Sequence, residues 1–409
     1  MKDAETNAAI SAVSGTTAPP ETAETTETAE TAETPGTTLA ADRAAPARLP
    51  SLTGLRFVAA GMVVLSHALL LSDTTPDGHP HWDTWVAMNA VSLFFVLSGY
   101  VLTHSARATD TPAAFWRRRF VKIWPVHAVA WVGALAVIAY LDDTLAERTD
   151  RLTGNVLSLF LLQSWSRDHY QGGNAVAWSL AVEAFFYLLF PALLPLVLRL
   201  SRRGLLVLAG VAAALTWLMP FVSALTVDAD TLDRTTFTGQ SFWFLYALPL
   251  TRLPEFVLGM AAARLAVTGT GLPRIAVLPP AAVALAVPFF ADDFLPNAFM
   301  YASASAVPLA LLVTATAQLD LRGKASLLRT RPAVFLGEIS FACYMCHATV
   351  LTAVHKVAVD HGWSGGWAVV AALPLVLLAS WALYRLVERP CMRRFAAPAR
   401  PAAVPVGAA

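Results

Sequence analysis

From residue 51 onward the chain runs as long apolar stretches separated by short polar ones. A bilayer core of about 30 Å is crossed by a helix of about 20 apolar residues. Ten stretches meet that requirement: 52–71, 86–104, 123–141, 175–198, 204–224, 242–266, 275–291, 299–318, 334–355 and 367–387. An eleventh apolar piece, 154–165, is too short to cross and is expected to be re-entrant or to lie at the surface. Pro249 and Pro254 predict a break or kink in the sixth stretch, because proline removes a helical N–H and clashes with the preceding turn.

The polar segments alternate in charge. Arg43 and Arg48, then Arg107, Arg117, Arg118, Arg119 and Lys122, then Arg199, Arg202 and Arg203 fall on one side of a ten-helix count. Arg264, Arg274, Arg322, Lys324, Arg329, Arg331, Arg389, Arg393 and Arg394 continue on that side. The opposite side carries Asp73, Asp77, Asp228, Asp230, Asp233, Asp292 and Asp293, and the loop 142–174 is mixed. Basic loops stay in the cytoplasm. The fold class expected is therefore an all-α polytopic membrane bundle of about ten helices with both termini cytoplasmic. The two halves show no internal repeat, which argues against an inverted-repeat transporter.

Composition sharpens this picture. The chain is 56% hydrophobic and 14% charged, where soluble proteins carry about 45–50% and about 25%. A net charge of +1 gives no field for nucleic acid. Three cysteines imply no disulfide framework. Residues 1–50 repeat Thr, Glu and Ala, lack the apolar core of a signal peptide, and are expected to be a disordered cytoplasmic tail. Residues 51–395 form the expected membrane domain, and 396–409 a disordered Pro/Ala tail.

Ionisable residues inside spanning helices are costly and mark function by default. Arg56 and His67 lie in the first stretch, eleven residues apart. That is about 16 Å along a helix, and about 100° per residue returns both to nearly the same face. A cation and an imidazole are thus expected to face one internal chamber. Glu183, in Trp178-Ser179-Leu180-Ala181-Val182-Glu183 with Tyr187 one turn on, needs a partner or a proton. The run from Phe115 to Pro125 contains Arg118, Arg119 and Lys122, and fits either interfacial anchoring or a phosphate clamp. Arg252 and Glu255 are three apart and suited to a same-face ion pair. Ser98-Gly99 reads as a close helix-packing point. Cys343-Tyr344-Met345-Cys346-His347 has the spacing of a c-type haem attachment, but it falls inside an apolar stretch and reads as core cysteines, with His347 a polar liner.

Taken in order, these motifs resemble the integral-membrane acyltransferase-3 family over residues 50–395. The resemblance rests on Arg56 and His67; on Phe94 to Tyr100; on Arg118, Arg119, Lys122 and Pro125; and on Trp178, Ser179, Leu180 and Glu183. It continues through Arg252, Glu255, Phe256 and Gly259, then Ser340, Phe341, Tyr344 and His347, and closes with Glu388, Arg389 and Pro390. Lys122 stands where the family usually has Arg, and Ala184 where a second acidic residue is common.

The resemblance implies a multi-pass protein of a bacterial inner membrane. It would move an acyl group, commonly acetyl, from acyl-CoA to a hydroxyl of a carbohydrate or secondary metabolite. Acyl-CoA is then a co-substrate, with no permanently bound cofactor and no metal. His67 is the implied general base and Glu183 the second catalytic candidate. Arg56, Arg118, Arg119, Lys122, Trp178, Ser179, Tyr187, Arg252, Glu255 and His347 are candidates for donor or substrate binding. Without the resemblance, the same intramembrane charges also fit a transporter of a small polar solute or lipid-linked sugar, or a scaffold in which ion pairs fix helix register.

Overall fold

The computed structural model describes residues 48–72, 82–107, 110–141, 148–233, 239–268, 274–291 and 294–396. The expected tails, 1–50 and 396–409, lie almost wholly outside them. Among the described residues there is no β-strand, and thirteen helices follow one another. They are α1 (Pro50–Leu70), α2 (Trp82–Ser105), α3 (Pro112–Leu141), α4 (Arg148–Leu159), α5 (Trp178–Arg199), α6 (Arg202–Thr226), α7 (Gly239–Phe242) and α8 (Pro249–Thr268). After them come α9 (Leu278–Phe290), α10 (Ser303–Leu321), α11 (Arg331–Asp360), α12 (Gly365–Leu383) and α13 (Arg389–Phe395). Among the described residues eight helices are long and apolar enough to cross a membrane. The two further crossings expected from sequence correspond to α8, which carries Arg252, Glu255 and Arg264, and to α9, only 13 residues long.

Local chemistry explains the boundaries. Pro50 occupies the first turn of α1, where a missing N–H costs nothing. The carboxylate of Asp320, at the end of α10, accepts from the Ser51 N–H at 2.7 Å and from its hydroxyl at 2.8 Å. A negative charge at a helix N-terminus is favourable. The break expected near Pro249 is present: a π-helical stretch, Trp243–Ala247, ends at the extended residue Leu248, and α8 begins at Pro249. The residue before proline is forced out of the helical region. Pro254 sits inside α8 without ending it.

One expectation shifts and another holds. The basic run Arg117–Lys122 is not a loop but the second and third turns of α3. Thirty residues give α3 about 45 Å, so it outreaches the hydrocarbon core and its first turns stand at the interface. The piece 154–165 does not cross: α4 ends at Leu159, Leu161 turns the chain with φ 59°, and a single 3₁₀ turn, Gln163–Trp165, follows.

Helix α2 is the most enclosed of the eight candidate spans, 83% of its apolar window being buried, whereas α6 at 22% presents Leu206, Val207, Val211, Leu218 and Leu225 outward. Lipid tails are as apolar as leucine, so helices associate here by close packing and polar contacts rather than by exclusion of water. The α2–α8 contact illustrates both. Gly99 lies against the Phe256 carbonyl and Gly259 against the Val96 carbonyl, and a Cβ at either position would collide with backbone. Beside them Arg252 and Glu255, both fully buried, form an ion pair with Nε and Oε2 2.9 Å apart. The Arg252 Nη1 donates to the Tyr301 carbonyl at 2.8 Å and Nη2 to the Ser92 hydroxyl at 2.9 Å. The guanidinium also lies over the rings of Phe95 and Tyr246.

Candidate active site

Helices α1, α2, α3, α5 and α11 enclose an inner cleft of about 830 Å³, counted out to its open mouth. Its polar lining is Arg56 from α1, Ser98 from α2, Arg119 and Lys122 from α3, Ser179, Glu183 and Tyr187 from α5, and Ser340 and Tyr344 from α11. Phe94, Phe95 and Phe341 supply apolar wall. Residues four apart on a helix share a face, which is why Ser179, Glu183 and Tyr187 point into the same space.

One oxygen of Glu183, Oε1, accepts from the Ser98 hydroxyl at 2.9 Å and from the Tyr187 hydroxyl. Lys122 pairs with Glu388, and its Nζ lies 5.8 Å from the Phe341 ring centre. The π-helical stretch Tyr384–Glu388 places that carboxylate beside α3. Arg119 rests over Phe115 and Tyr187, 5.7 Å and 5.8 Å from their ring centres. Among the described residues neither Arg56 nor Arg119 has an ion-pair partner, and the Nε of each is buried without a hydrogen bond. Both side chains are half-buried and share the lining with the carboxylate of Glu183.

A second cleft of about 1060 Å³ opens at the other end of α1. It is lined by His67 and Ser66, by Thr84 and Met88 of α2, by Gln171 and Trp178, by Phe242 and Tyr246, and by Leu351 and Thr352 of α11. Asn174 ties the loop before α5 to α11 through the Met345 carbonyl at 2.8 Å. Val91 and Tyr344 line both clefts. The Tyr344 hydroxyl is 2.7 Å from the Ser179 hydroxyl, and Phe94 meets its ring edge-on. The one chamber expected from the Arg56–His67 stripe is therefore two, separated by a tyrosine. Both residues face the interior, but Arg56 belongs to the inner cleft and His67 to the outer.

The structure sorts the remaining candidates. Trp178 lines the outer cleft and His347 lies behind His67, with His67 Nδ1 and His347 Nε2 2.8 Å apart. Glu183 does not meet His67; both its donors lie on the inner side. Arg118 is absent from the cleft lining and pairs instead with Asp110 at 2.8 Å, the carboxylate in the turn just before α3. Arg252 and Glu255 are sealed between α2 and α8 and reach neither cleft. Among the described residues no group of His, Cys, Asp or Glu is arranged to hold a metal. Cys346 lies 3.6 Å from the Ser380 hydroxyl. Ser98, Tyr344 and Glu388 escaped the sequence reading as site members, although each stands in a motif that carries the resemblance.

A family model described as an acyltransferase domain, acyltransferase 3, matches residues 49–385, a span containing both clefts. The chain belongs to the acyltransferase-3 family. Acyltransferase MdmB of Streptomyces mycarofaciens is 36% identical over 360 residues, covering 85% of this chain and 92% of that protein. Nodulation protein 10 of Rhizobium leguminosarum bv. viciae is 27% identical over 372 residues, 83% of this chain and 92% of the relative. Peptidoglycan O-acetyltransferase OatA of Listeria monocytogenes is 22% identical over 369 residues, 84% of this chain and 55% of the relative. No solved structure matches. This acyltransferase-3 protein is thus a multi-pass membrane acyltransferase, and family membership decides against the transporter and scaffold readings.

Proposed function

We propose that the protein takes an acyl group, most simply acetyl, from acyl-CoA at the cytoplasmic face of a bacterial inner membrane. It passes that group to a hydroxyl of a carbohydrate or secondary metabolite, with His67 as general base. The observation that carries this reading is the meeting, at Tyr344, of a cationic cleft with a cleft whose wall holds an imidazole.

The phosphates of CoA cannot enter hydrocarbon. Arg56, Arg119 and Lys122 offer them three cations, two without a counter-ion. Guanidinium groups bind phosphate oxygens in pairs. Glu183, held by Ser98 and Tyr187, keeps the cleft wall in shape and limits its positive charge. The pantetheine arm, uncharged, runs along Phe94, Phe95 and Phe341 and brings the thioester to Tyr344. On the far side His67 takes the proton of the acceptor hydroxyl as its oxygen bonds to the thioester carbonyl carbon. The C–S bond then breaks, and the leaving thiolate recovers the proton from the imidazolium. Imidazole titrates near neutrality and suits both halves of this exchange. Arg56 acts on the donor's charge, since it lies in the other cleft from His67. A saccharide hydroxyl is the acceptor class favoured by the relative named a peptidoglycan O-acetyltransferase. The alternation of basic and acidic segments supports ten crossings with cytoplasmic termini.

The test is His67→Ala in purified protein reconstituted in nanodiscs. Acetyl-CoA thioester cleavage falls to background, about 10³-fold or more below wild type, while helical content and monodispersity are retained. Unchanged turnover rejects His67 as the base.

A further inference from the structure

The reading of His67 as base leaves open which of its nitrogens is free to accept a proton, and the neighbouring helix answers. His347 is fully buried on α11. Its Nδ1 lies 2.7 Å from the carbonyl oxygen of Tyr344, one turn earlier in the same helix. A carbonyl only accepts, so His347 Nδ1 carries a hydrogen. A neutral imidazole has a single N–H, and no carboxylate pairs with either ring among the described residues. His347 Nε2 therefore presents a lone pair, and it sits 2.8 Å from His67 Nδ1. His67 must donate to it. Its own hydrogen is fixed on Nδ1, and Nε2 is left bare.

The ring geometry suits this chain of donors. The two centroids are 5.1 Å apart with planes 12° from parallel. A 2.8 Å N···N contact with one ring radius added at each end spans that separation, so the rings meet edge to edge, nearly in one plane. The lone pair of an imidazole nitrogen lies in the ring plane, and the N–H points along it. Among the described residues His67 Nε2 has no hydrogen-bond partner, and it is not sealed from the cleft that His67 lines.

We propose that His347 is a positioning residue that fixes the tautomer and plane of His67, the role a carboxylate plays beside the histidine of a hydrolase triad. This rests on the proposed role of His67. In the ground state the relay runs Tyr344 C=O to H–Nδ1 of His347, then Nε2 of His347 to H–Nδ1 of His67. When His67 Nε2 takes the acceptor proton, its ring becomes cationic. The Nδ1–H bond to His347 becomes charge-assisted and stronger, and His347 is braced by the backbone carbonyl behind it. No proton need leave the pair: the one gained at Nε2 is returned to the departing thiolate. A neutral partner also suits the location, since a carboxylate at this depth would itself require a cation. Histidine is anchored by the helix it stands on, because side chains lean toward the preceding turn.

The test compares His347→Gln with His347→Met in full-length protein in nanodiscs, with acetyl-CoA as donor and water as the acceptor probe. The two side chains are alike in length, but only glutamine has an oxygen to accept from His67 Nδ1. The methionine variant loses about 10²–10³-fold in kcat with KM for acetyl-CoA moved less than about twofold, and the glutamine variant stays within about tenfold of wild type. Nitrogen-15 spectra of histidine-labelled protein, with His67→Ala as the assignment control, give a readout independent of turnover. They show His67 with bare Nε2 in the wild type and a mixture of tautomers in His347→Met. Equal kcat in the two variants, or a wild-type His67 protonated at Nε2, overturns the inference while leaving His67 as base. Full turnover by His67→Ala overturns the base assignment itself, and the role of His347 with it.

Discussion

At the scale of single residues, the inner cleft separates cations by what they already touch. Among the described residues Arg56 and Arg119 have no ion-pair partner and each has a buried Nε without a hydrogen bond, whereas Arg118, one position from Arg119, is engaged by Asp110 outside the lining. Arg56→Gln and Arg119→Gln should each raise KM for acetyl-CoA about tenfold with a smaller effect on kcat, as loss of a charge-assisted phosphate contact does. Arg118→Gln should change KM by less than about twofold. Steady-state kinetics on the three variants decides. The sequence made Arg56 and His67 legible because an ionisable group inside an apolar run needs a reason to be there. It could not tell Arg118 from Arg119, because the difference depends on a carboxylate in the preceding turn and on how α3 is rotated against α5 and α11. It marked Glu183 as needing a partner but could not name one, since no linear pattern says which face of α5 meets which end of α1.

At the scale of helices, two motifs that carried the family resemblance prove to be halves of one contact. Phe94–Gly99 on α2 and Arg252–Gly259 on α8 supply the two close-approach glycines and the buried ion pair. This positions α2, and through Ser98 it positions Glu183. Arg252→Leu leaves Glu255 buried and alone and should cost about 3–5 kcal/mol, while replacing both by Leu and Met recovers most of that loss. Thermal unfolding in detergent, with the double variant more stable than the single one, is the check. The ion pair itself was legible from its spacing, as was the break before Pro249. Its isolation from both clefts was not, because burial between two helices and exposure to a cavity leave the same apolar neighbours in the sequence. The start of α3 was misjudged for a simpler reason. A run of arginines reads as a loop by charge, yet arginine is a good helix former.

At the scale of the whole molecule, the alternation of charge along the chain and the enclosure of α2 describe a bundle whose working space is axial. Sequence periodicity gives the helices and the side each end favours. It does not give cavities, which exist only where five or six helices meet. Hence the division into two clefts, and the residues Val91 and Tyr344 common to both, could be seen only in three dimensions.

That shared tyrosine has a bioenergetic consequence. A bore that admitted a thioester through an energised membrane would, if open at rest, short-circuit the ion gradients on which the cell runs. The phenol of Tyr344, bonded to Ser179 and met edge-on by Phe94, stands between the two clefts. Proteoliposomes of the wild-type protein should therefore hold a pH gradient as well as empty vesicles do. Tyr344→Ala should collapse it, as followed with an entrapped pH-sensitive dye, and equal tightness in the two would mean that the insulation lies elsewhere.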